Sequence, residues 1–382
     1  MRIRSRALAV TILAASLAAA LPVTPAVADD PPVFTVYLAP NGSDSNDGLS
    51  PASPVATLVR AQQVLIAARP TTDVEIRIRQ GTYEAPPMHN WRFYVPGHTV
   101  SFLPIDYEYG EGLDGIAGRP IFRNRRAADG SYPAGYWLQP RLPNDPAEPL
   151  YHGGTSGLRF YYLQIEYYSA GGISIYGDSE RDTSDERYNP ALRVAGSQGL
   201  NGNTVFGMVF RRLGNRWTGG SSYGYGAVVL TNSSNNRIVN NHFVNVENAS
   251  PYGGYIHGLY VTHFSSSNQL NRNAFSYISG DPVKIRNMSN YNTVEYNRFS
   301  RTGRVAHYRG EFCDRACAVA NGIDRQCASY HNRFFNNTLG SNYAGTGKLP
   351  TWALTPEGLT NAGGAPCVIP ESDQRLRTGY NT

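Results

Sequence analysis

The sequence contains little charge, few cysteines and almost no lysine. Only 16% of its 382 residues are charged and 41% are hydrophobic, a balance that argues against intrinsic disorder. It has no Gly-X-Y period and no heptads, which excludes a collagen and a coiled coil. Beyond residue 28 no apolar run is long enough to span a bilayer, so we expect no membrane partner.

Four cysteines are present, namely Cys313, Cys317, Cys327 and Cys367. In an exported chain two disulfides are the first interpretation, and three pairings are possible. A zinc site is the alternative, although the sequence has no paired CxxC units.

The amino terminus has the pattern of a secretory signal peptide. Three arginines in the first six residues precede an apolar stretch over 7–21, and Ala-Val-Ala at 26–28 forms a small-x-small cleavage site. We therefore expect residues 1–28 to be removed and the mature protein to be secreted. The formal net charge is +5, and loss of these three arginines leaves +2. Proteins that bind nucleic acid usually carry a strong positive charge, so we do not expect a secreted chain with so little net charge to bind it.

An asparagine-led repeat fills the middle of the chain. Its leading residues are spaced 33, 32, 24 and 40 positions apart and are Asn203, Asn236, Asn268, Asn292 and Asn332. A second Asn follows five positions later in four units, at Asn241, Asn273, Asn297 and Asn337. The short alternating segments predict strands, and the variable spacing predicts stacked coils with inserted loops. Asn tolerates the left-handed conformation of a sharp bend, and its amide can bond the Asn of the next coil.

This repeat resembles the right-handed parallel β-helix proteins of the pectin-lyase-like fold. The segments 36–48 and 53–57 are similar to the opening of many secreted members, and 56–69 reads as the amphipathic helix that caps their solenoid. The predicted fold is therefore all-β, a right-handed parallel β-helix solenoid with a short N-terminal capping helix.

The predicted organisation has three parts. The signal peptide covers 1–28, the β-helix domain with its N-terminal cap covers 29–340, and a C-terminal cap or tail covers 341–382. Since a capped solenoid has no need to oligomerise, we expect a monomer.

The repeat also predicts which side chains face outward. Counting back from the leading Asn, the positions nine and seven before it are apolar and assigned to the core, namely Ala227, Val229, Leu259, Val261, Val283 and Ile285. The positions eight and six before it are then outward, namely Val228, Leu230, Tyr260, Thr262, Lys284, Arg286, Asp324 and Gln326. Tyr260, Lys284 and Asp324 are thereby predicted to share one outward column, with Arg286 beside them.

Lys284 is unusual because it and Lys348 are the only lysines among 34 basic residues. Lysine can lose its proton where arginine cannot, and the nearby charge of Arg286 lowers its pKa. We interpret Lys284 as a candidate base and Arg286 as a partner for a substrate carboxylate. An ordinary solvated lysine is the alternative.

The surroundings of Lys284 are basic. Residues 272–309 hold seven basic and two acidic residues, which favours an anionic polysaccharide as partner. Arg272, Arg298 and Asp324 are candidate substrate-binding residues. The alternative is that these arginines lie on different faces of the coil.

Other side chains near Lys284 are candidates for the acid and for a metal. Tyr260, His257 or His263 could assist the leaving group, although a histidine at a turn is commonly structural. Asp281 and Asp324 could hold Ca²⁺, but Asp281 precedes a proline and also fits a turn residue.

The resemblance implies a carbohydrate-active protein, for which we expect a polysaccharide lyase that cleaves a uronic-acid-containing glycan by β-elimination. Lyases of this fold commonly use Lys or Arg as the base, often with Ca²⁺, and the reaction needs a base, a cation and an acid. A glycoside hydrolase needs clustered carboxylates, which the acidic residues at 178–185 could supply. An epimerase would share the proton abstraction of the lyase, and a non-catalytic carbohydrate-binding or cell-surface solenoid would need no base at all.

Overall fold

The computed structural model describes residues 32–109, 118–177, 199–310, 329–354 and 377–382. The signal peptide at 1–28, the four cysteines, Asp324, Gln326 and the acidic residues at 178–185 lie outside the described residues. From Val33 onward the described residues belong to one compact unit, Val33–Thr382.

Three parallel sheets, here called A, B and C, hold most of the described strands. Sheet A contains, in spatial order, β1 (Phe34–Leu38), β2 (Val74–Ile78), β5 (Val100–Pro104), β9 (Leu158–Tyr161), β13 (Thr204–Phe206), β16 (Arg237–Val239), β19 (Gln269–Asn271), β22 (Thr293–Glu295), β25 (Arg333–Phe335) and β28 (Arg377–Gly379). Sheet B contains β3 (Thr82–Glu84), β6 (Ile121–Arg123), β10 (Gln164–Glu166), β14 (Val209–Leu213), β17 (His242–Val246), β20 (Ala274–Ile278), β23 (Arg298–Thr302) and β26 (Thr338–Leu339). Sheet C contains β4 (Met88–Trp91), β7 (Tyr136–Pro140), β11 (Gly171–Tyr176), β15 (Gly226–Thr231), β18 (His257–Thr262), β21 (Val283–Arg286), β24 (His307–Gly310) and β27 (Trp352–Leu354).

The remaining elements are short. β8 (Gly154–Thr155) pairs with β12 (Leu200–Asn201) in a parallel ladder. The helices among the described residues are α1 (Leu58–Ala68), α2 (Asn215–Thr218) and a 3₁₀ turn over Tyr252–Tyr255. In the described part of the chain, no helix has the length and apolarity that crossing a membrane requires.

The chain visits the three sheets in turn and returns to the first one coil further on. β13, β14 and β15 form one coil, and β16, β17 and β18 pair with them in parallel, each with its counterpart. Because strands of consecutive coils pair in parallel along each of the three sheets, the described chain is an all-β parallel β-helix. The sequence prediction of this fold is confirmed.

The predicted N-terminal helix is also present. α1 begins after Thr57, whose Oγ1 accepts a hydrogen bond from the backbone N of Arg60 at 3.1 Å. Its buried residues Leu58, Ala61 and Leu65 belong to the same core as the strands. The helix therefore adds apolar surface at the first strand of sheet A, where the solenoid would otherwise end.

The asparagine repeat forms two buried ladders, as expected. Asn268 Oδ1 accepts bonds from the backbone N of Asn236 at 2.9 Å and from its Nδ2 at 2.7 Å, and Asn268 Nδ2 donates to Asn292 Oδ1 at 2.8 Å. The second ladder runs through Asn273 in the same manner. The ladders satisfy peptide groups that the corners of the coil bury.

The left-handed bend, however, is one residue earlier than the sequence suggested. The residues with positive φ directly precede the ladder and are Asn235, Ser267, Tyr291 and His331 for the first ladder and Asn240, Arg272, Tyr296 and Asn336 for the second. Among the described residues, no ladder Asn of the repeat has positive φ. The ladder Asn supplies hydrogen bonds, and its predecessor makes the turn.

Stacked phenylalanines fill the core behind sheet B. Phe275 lies between Phe243 and Phe299, with ring centroids 4.8 and 4.9 Å apart and nearly parallel planes. All three are buried. The four successive coils from β14 to β23 each contribute one ring at the same register, beginning with Phe210, so aromatic contacts continue along these coils.

One register assignment was wrong by a residue. β15 aligns Val228 with Leu259 and Leu230 with Val261, so Val228 and Leu230 belong to the core and Val229 faces outward. The turn that leads from sheet C to the leading Asn is one residue shorter in this coil than in the next. Counting back from the Asn cannot detect that difference. The other assigned core residues, Ala227 and the two pairs at 259/261 and 283/285, are buried as expected.

Solenoid strands continue beyond residue 340, inside the segment expected to be a cap or tail. β27 pairs with β24, and β28 pairs with β25. Asn381 extends the second ladder by accepting a bond from Asn337 Nδ2 at 3.0 Å. This member was missed because its unit lacks the leading Asn.

Candidate active site

The outer face of sheet C brings together the main candidate residues. Its register places Ser174 beside Val229, Val229 beside Tyr260, and Tyr260 beside Lys284. The predicted column of Tyr260 and Lys284 is therefore confirmed. Arg286 is two residues further along the same strand as Lys284, on the same face, about 6.7 Å away.

A cleft of about 290 Å³, here called the sheet C cleft, opens on this face. Its lining combines four tyrosines with three hydroxyl residues, Gln139, Val229, His263 and Arg286. None of the described residues that line it carries a carboxylate. Lys284 does not itself line the cleft. It lies on the same strand as Arg286, which does.

Arg286 is buried against Tyr260. Its Nε donates a hydrogen bond to Tyr260 Oη, and its guanidinium carbon lies 5.4 Å from the centre of the tyrosine ring. Both residues are almost wholly buried, with 6% and 7% of their surface exposed. A cation is therefore held at the cleft with its orientation set by a neighbouring strand.

The pKa of Lys284 is lowered to about 8, chiefly because the ammonium group is largely withdrawn from water. The positive charge of Arg286 lowers the pKa further, and the negative charge of Asp281 opposes the change. A substantial fraction of Lys284 is consequently neutral near pH 8, which is the state that can accept a proton.

His257 lies beneath this group and is held neutral. Its Nδ1 donates to the backbone oxygen of Asp281 at 2.6 Å, and its ring stacks 5.3 Å from that of Tyr260. Burial and, secondarily, the charge of Lys284 lower the pKa of His257 to about 3. This histidine adds no positive charge beside Lys284, and its ring supports the position of Tyr260.

His263 is at the other end of β18, in the lining of the cleft. Its backbone is left-handed, with φ of 51°, and its Nδ1 is 3.0 Å from Thr262 Oγ1. If the strand alternation continued, His263 would point inward. The left-handed turn ends the alternation, so its side chain lines the cleft instead.

Asp281 is a turn residue. Its Oδ1 accepts hydrogen bonds from the backbone N of Arg304 at 2.8 Å and of Val305 at 3.0 Å. Among the described residues, no group of three or more His, Cys, Asp or Glu side chains could hold a metal ion. These residues alone do not fit a Ca²⁺ site, and the other expected ligand, Asp324, lies outside them.

Arg272 and Arg298 are not brought to this face. Arg272 makes the left-handed turn between β19 and β20, with its guanidinium over the ring of Tyr296 at 5.9 Å. Arg298 opens β23 in sheet B and is exposed. The structure does not place them beside Lys284, because the segment 272–309 passes through sheets B and C twice and through sheet A once, so its arginines are distributed over several faces.

Sequence reasoning missed three tyrosines of the cleft. Tyr136, Tyr176 and Tyr225 come from coils before Tyr260, and the ring of Tyr225 stacks 6.2 Å from that of Tyr260. Burial and, secondarily, a hydrogen bond with Tyr223 raise the pKa of Tyr225 to about 12, so its hydroxyl stays protonated at neutral pH. The abundance of tyrosine, 26 residues, was the only signal in the sequence.

No family model and no curated protein matches this chain. Among solved structures, it is similar to the pectate lyase Pel9A, with 13% identity, a TM-score of 0.41, and coverage of 80% of this chain and 62% of that one. It is similar to a rhamnogalacturonan lyase with 13% identity, a TM-score of 0.41, and coverage of 91% and 87%. A third similar structure is the GH136 lacto-N-biosidase from Eubacterium ramulus, with 10% identity, a TM-score of 0.23, and coverage of 91% and 67%. The chain thus spans less than two thirds of the pectate lyase. Its own strand pairing defines it as a parallel β-helix protein.

Proposed function

We propose that this chain is a secreted polysaccharide lyase that cleaves a uronic-acid-containing glycan by β-elimination. One observation carries the proposal: Lys284, with a pKa lowered to about 8, lies on the outer face of sheet C two residues from the buried cation Arg286. A lysine with a lowered pKa can accept a proton from the carbon that bears the carboxylate, and an arginine held beside it can bind that carboxylate. Secretion rests on the signal-peptide pattern at 1–28.

In the proposed reaction, neutral Lys284 Nζ takes the proton from the carbon that bears the carboxylate. Arg286 lines the cleft and pairs with that carboxylate, so negative charge that develops on it during the step is stabilised. The electron pair forms a carbon–carbon double bond, and the bond to the glycosidic oxygen on the next carbon breaks. Tyr260 Oη gives its proton to that leaving oxygen.

Tyr260 is suited to the role of acid because its oxygen already accepts a bond from Arg286 Nε. The hydroxyl proton is then directed away from the guanidinium. Solvent returns the proton from Lys284 to Tyr260 before the next cycle.

The lining of the cleft fits a sugar chain. Tyrosine rings offer flat apolar faces for sugar rings, while Gln139 and the hydroxyl residues offer hydrogen bonds to sugar hydroxyls. A hydrolase would need carboxylates in this lining, and the described residues supply none. The acids at 178–185 and Asp324 are the candidates for a hydrolase. No step of the proposed reaction uses Ca²⁺.

The test follows the ultraviolet absorbance of the unsaturated product, using purified mature protein with a panel of polyuronates and glycosaminoglycans. The wild type should produce absorbance, and Lys284→Ala should lose at least about 100-fold of the rate. Lys348→Ala is the matched control, because it removes the other lysine from an exposed position. New reducing ends without absorbance would instead establish a hydrolase, and binding without either product would establish a binding module.

A further inference from the structure

A second cleft of about 280 Å³ opens on the outer face of sheet A, a different face from that of the proposed active site. We call it the sheet A cleft. Five aromatic side chains wall it, namely Tyr107, Tyr109, Tyr161, Tyr162 and Phe206. Arg159, Thr204 and Arg237 also line it.

The aromatic wall is ordered by mutual packing. Tyr107 and Tyr161 stack with centroids 5.4 Å apart, and Tyr109 meets both rings edge-on at 5.7 Å. The Tyr109 hydroxyl donates to Ser101 Oγ at 3.2 Å, yet 53% of this residue is exposed to solvent. The buried rings are accounted for by their packing in the core. The ring of Tyr109 is ordered but half exposed, and such a ring can stack against a sugar.

The floor of the cleft is cationic. Arg159, Thr204 and Arg237 lie side by side in one outward column on β9, β13 and β16. The two arginines are therefore about 10 Å apart along the sheet. Arg159 Nη1 donates to Thr204 Oγ1 at 2.6 Å. Burial raises the pKa of the Tyr161 phenol, and the charges of Arg159 and Arg237, which line the same cleft, oppose that rise.

Neither Arg159 nor Arg237 forms an ion pair with an acidic side chain in the part of the chain that the structure describes. Arg333, three coils beyond Arg237 in the same column, is paired with Glu295 at 3.3 Å. Among the described residues, two guanidinium groups without an acidic partner therefore lie beside aromatic rings, an arrangement that suits the binding of a sugar ring with a carboxylate.

We propose that the sheet A cleft is a non-catalytic binding site for an acidic sugar unit of a polysaccharide. The ring of the sugar lies against Tyr109 and Tyr161, and its carboxylate is bound by Arg237 with Arg159. The choice of a sugar among possible carboxylates rests on the proposed function. Two sites on different faces allow one chain to hold two segments of polymer, which raises the effective concentration of substrate.

The experiment uses trigalacturonate as the probe and a neutral galactose trisaccharide for comparison. Hydroxyl-radical footprinting of the full mature chain reports protection at Tyr109, and calorimetry reports affinity. Trigalacturonate should protect Tyr109 in the wild type and equally in Lys284→Ala. Arg237→Gln should raise the trigalacturonate concentration needed for half-maximal protection by about tenfold or more, because the ion pair between Arg237 and the sugar carboxylate is lost. Arg333→Gln, the matched control in the same column, should leave it unchanged.

Three results would overturn the proposal. The first is no protection of Tyr109 at millimolar trigalacturonate, the second is equal protection by the neutral trisaccharide, and the third is equal loss in Arg237→Gln and Arg333→Gln. If Arg237→Gln fails to fold, Tyr109→Ala measured by calorimetry takes its place and should remove one of two classes of sites. If the protein shows no lyase activity but trigalacturonate still protects Tyr109, only the proposed function is refuted. If the protein is an active lyase but Tyr109 is not protected, only this binding site is refuted.

Discussion

Arg286 donates a hydrogen bond through its Nε to the hydroxyl of Tyr260, which belongs to the preceding coil of sheet C. The bond joins the cation to the acid of the proposed reaction and is buried from solvent. Lys284 lies beside Tyr260 in the same outward column. Two adjacent strands thus place base, cation and acid on one face.

Removing the Tyr260 hydroxyl should slow the reaction without unfolding the protein. We expect Tyr260→Phe to lower kcat about 100-fold, because proton donation to the leaving oxygen is lost while the ring still stacks. Tyr225→Phe is the control, since it removes a neighbouring hydroxyl from the same cleft. Steady-state rates of product absorbance measure both variants. Equal rates for Tyr260→Phe and the wild type would exclude Tyr260 as the acid.

The rate should depend on the protonation of Lys284. Because its pKa is lowered to about 8, kcat/KM should rise with pH and reach half its maximum near pH 8. Arg286→Gln removes a positive charge that lowers this pKa, so the rising limb should move to higher pH, whatever the loss in rate. A rate profile that is flat between pH 6 and 9 would contradict the assignment of Lys284 as base.

His257 should make the protein sensitive to acid. Its pKa is about 3 in the folded state against 6.5 for the ordinary group, so below pH 6.5 only the unfolded state binds the proton. Between pH 6.5 and about 3, the free energy of unfolding should fall by about 1.4 kcal/mol for each pH unit. His257→Gln lacks this loss, so its stability relative to wild type should improve by the same amount per unit.

The measurement for His257 is urea denaturation at pH 6, 5 and 4 for the wild type, His257→Gln and His152→Gln. The last variant is the control because its side chain is exposed. A difference between His257→Gln and the wild type that stays constant over this range would show that His257 is protonated in the folded state.

The first asparagine ladder should be a main source of stability. Asn268→Ala removes the acceptor of two bonds from Asn236 and two donors, to Asn292 and to the backbone of Ser233, all in the buried corner. We expect a loss of about 3 kcal/mol in the free energy of unfolding. Asn271→Ala, in the same coil, removes one partly exposed acceptor of the Glu295 N–H and should cost about 1 kcal/mol. Chemical denaturation compares the two, and equal losses would contradict the ladder's role.

The fold could be predicted because its signals are local and repeated. From Asn203 to Asn332 each coil has its own Asn at the corner, and the apolar residues before Asn268 and Asn292 are at the same distance from it, so one unit supports the interpretation of the next. The pairing of Tyr260 with Lys284 followed from this repeat, since their coils have the same number of residues between strand and ladder. The assignment of Val229 failed where one turn is a residue shorter.

The sequence by itself determined the parallel coil, the two ladders and the outward position of Lys284, because these depend on contacts that recur at nearly constant spacing. The tertiary structure alone decided which distant side chains share a face. Tyr136 and Arg286 line one cleft although 150 positions separate them, while Arg272 and Arg298 are close to Lys284 in sequence and lie elsewhere. The reason is geometric: one coil carries the chain around all the faces of the solenoid, whereas stacking brings residues from many coils into a single column.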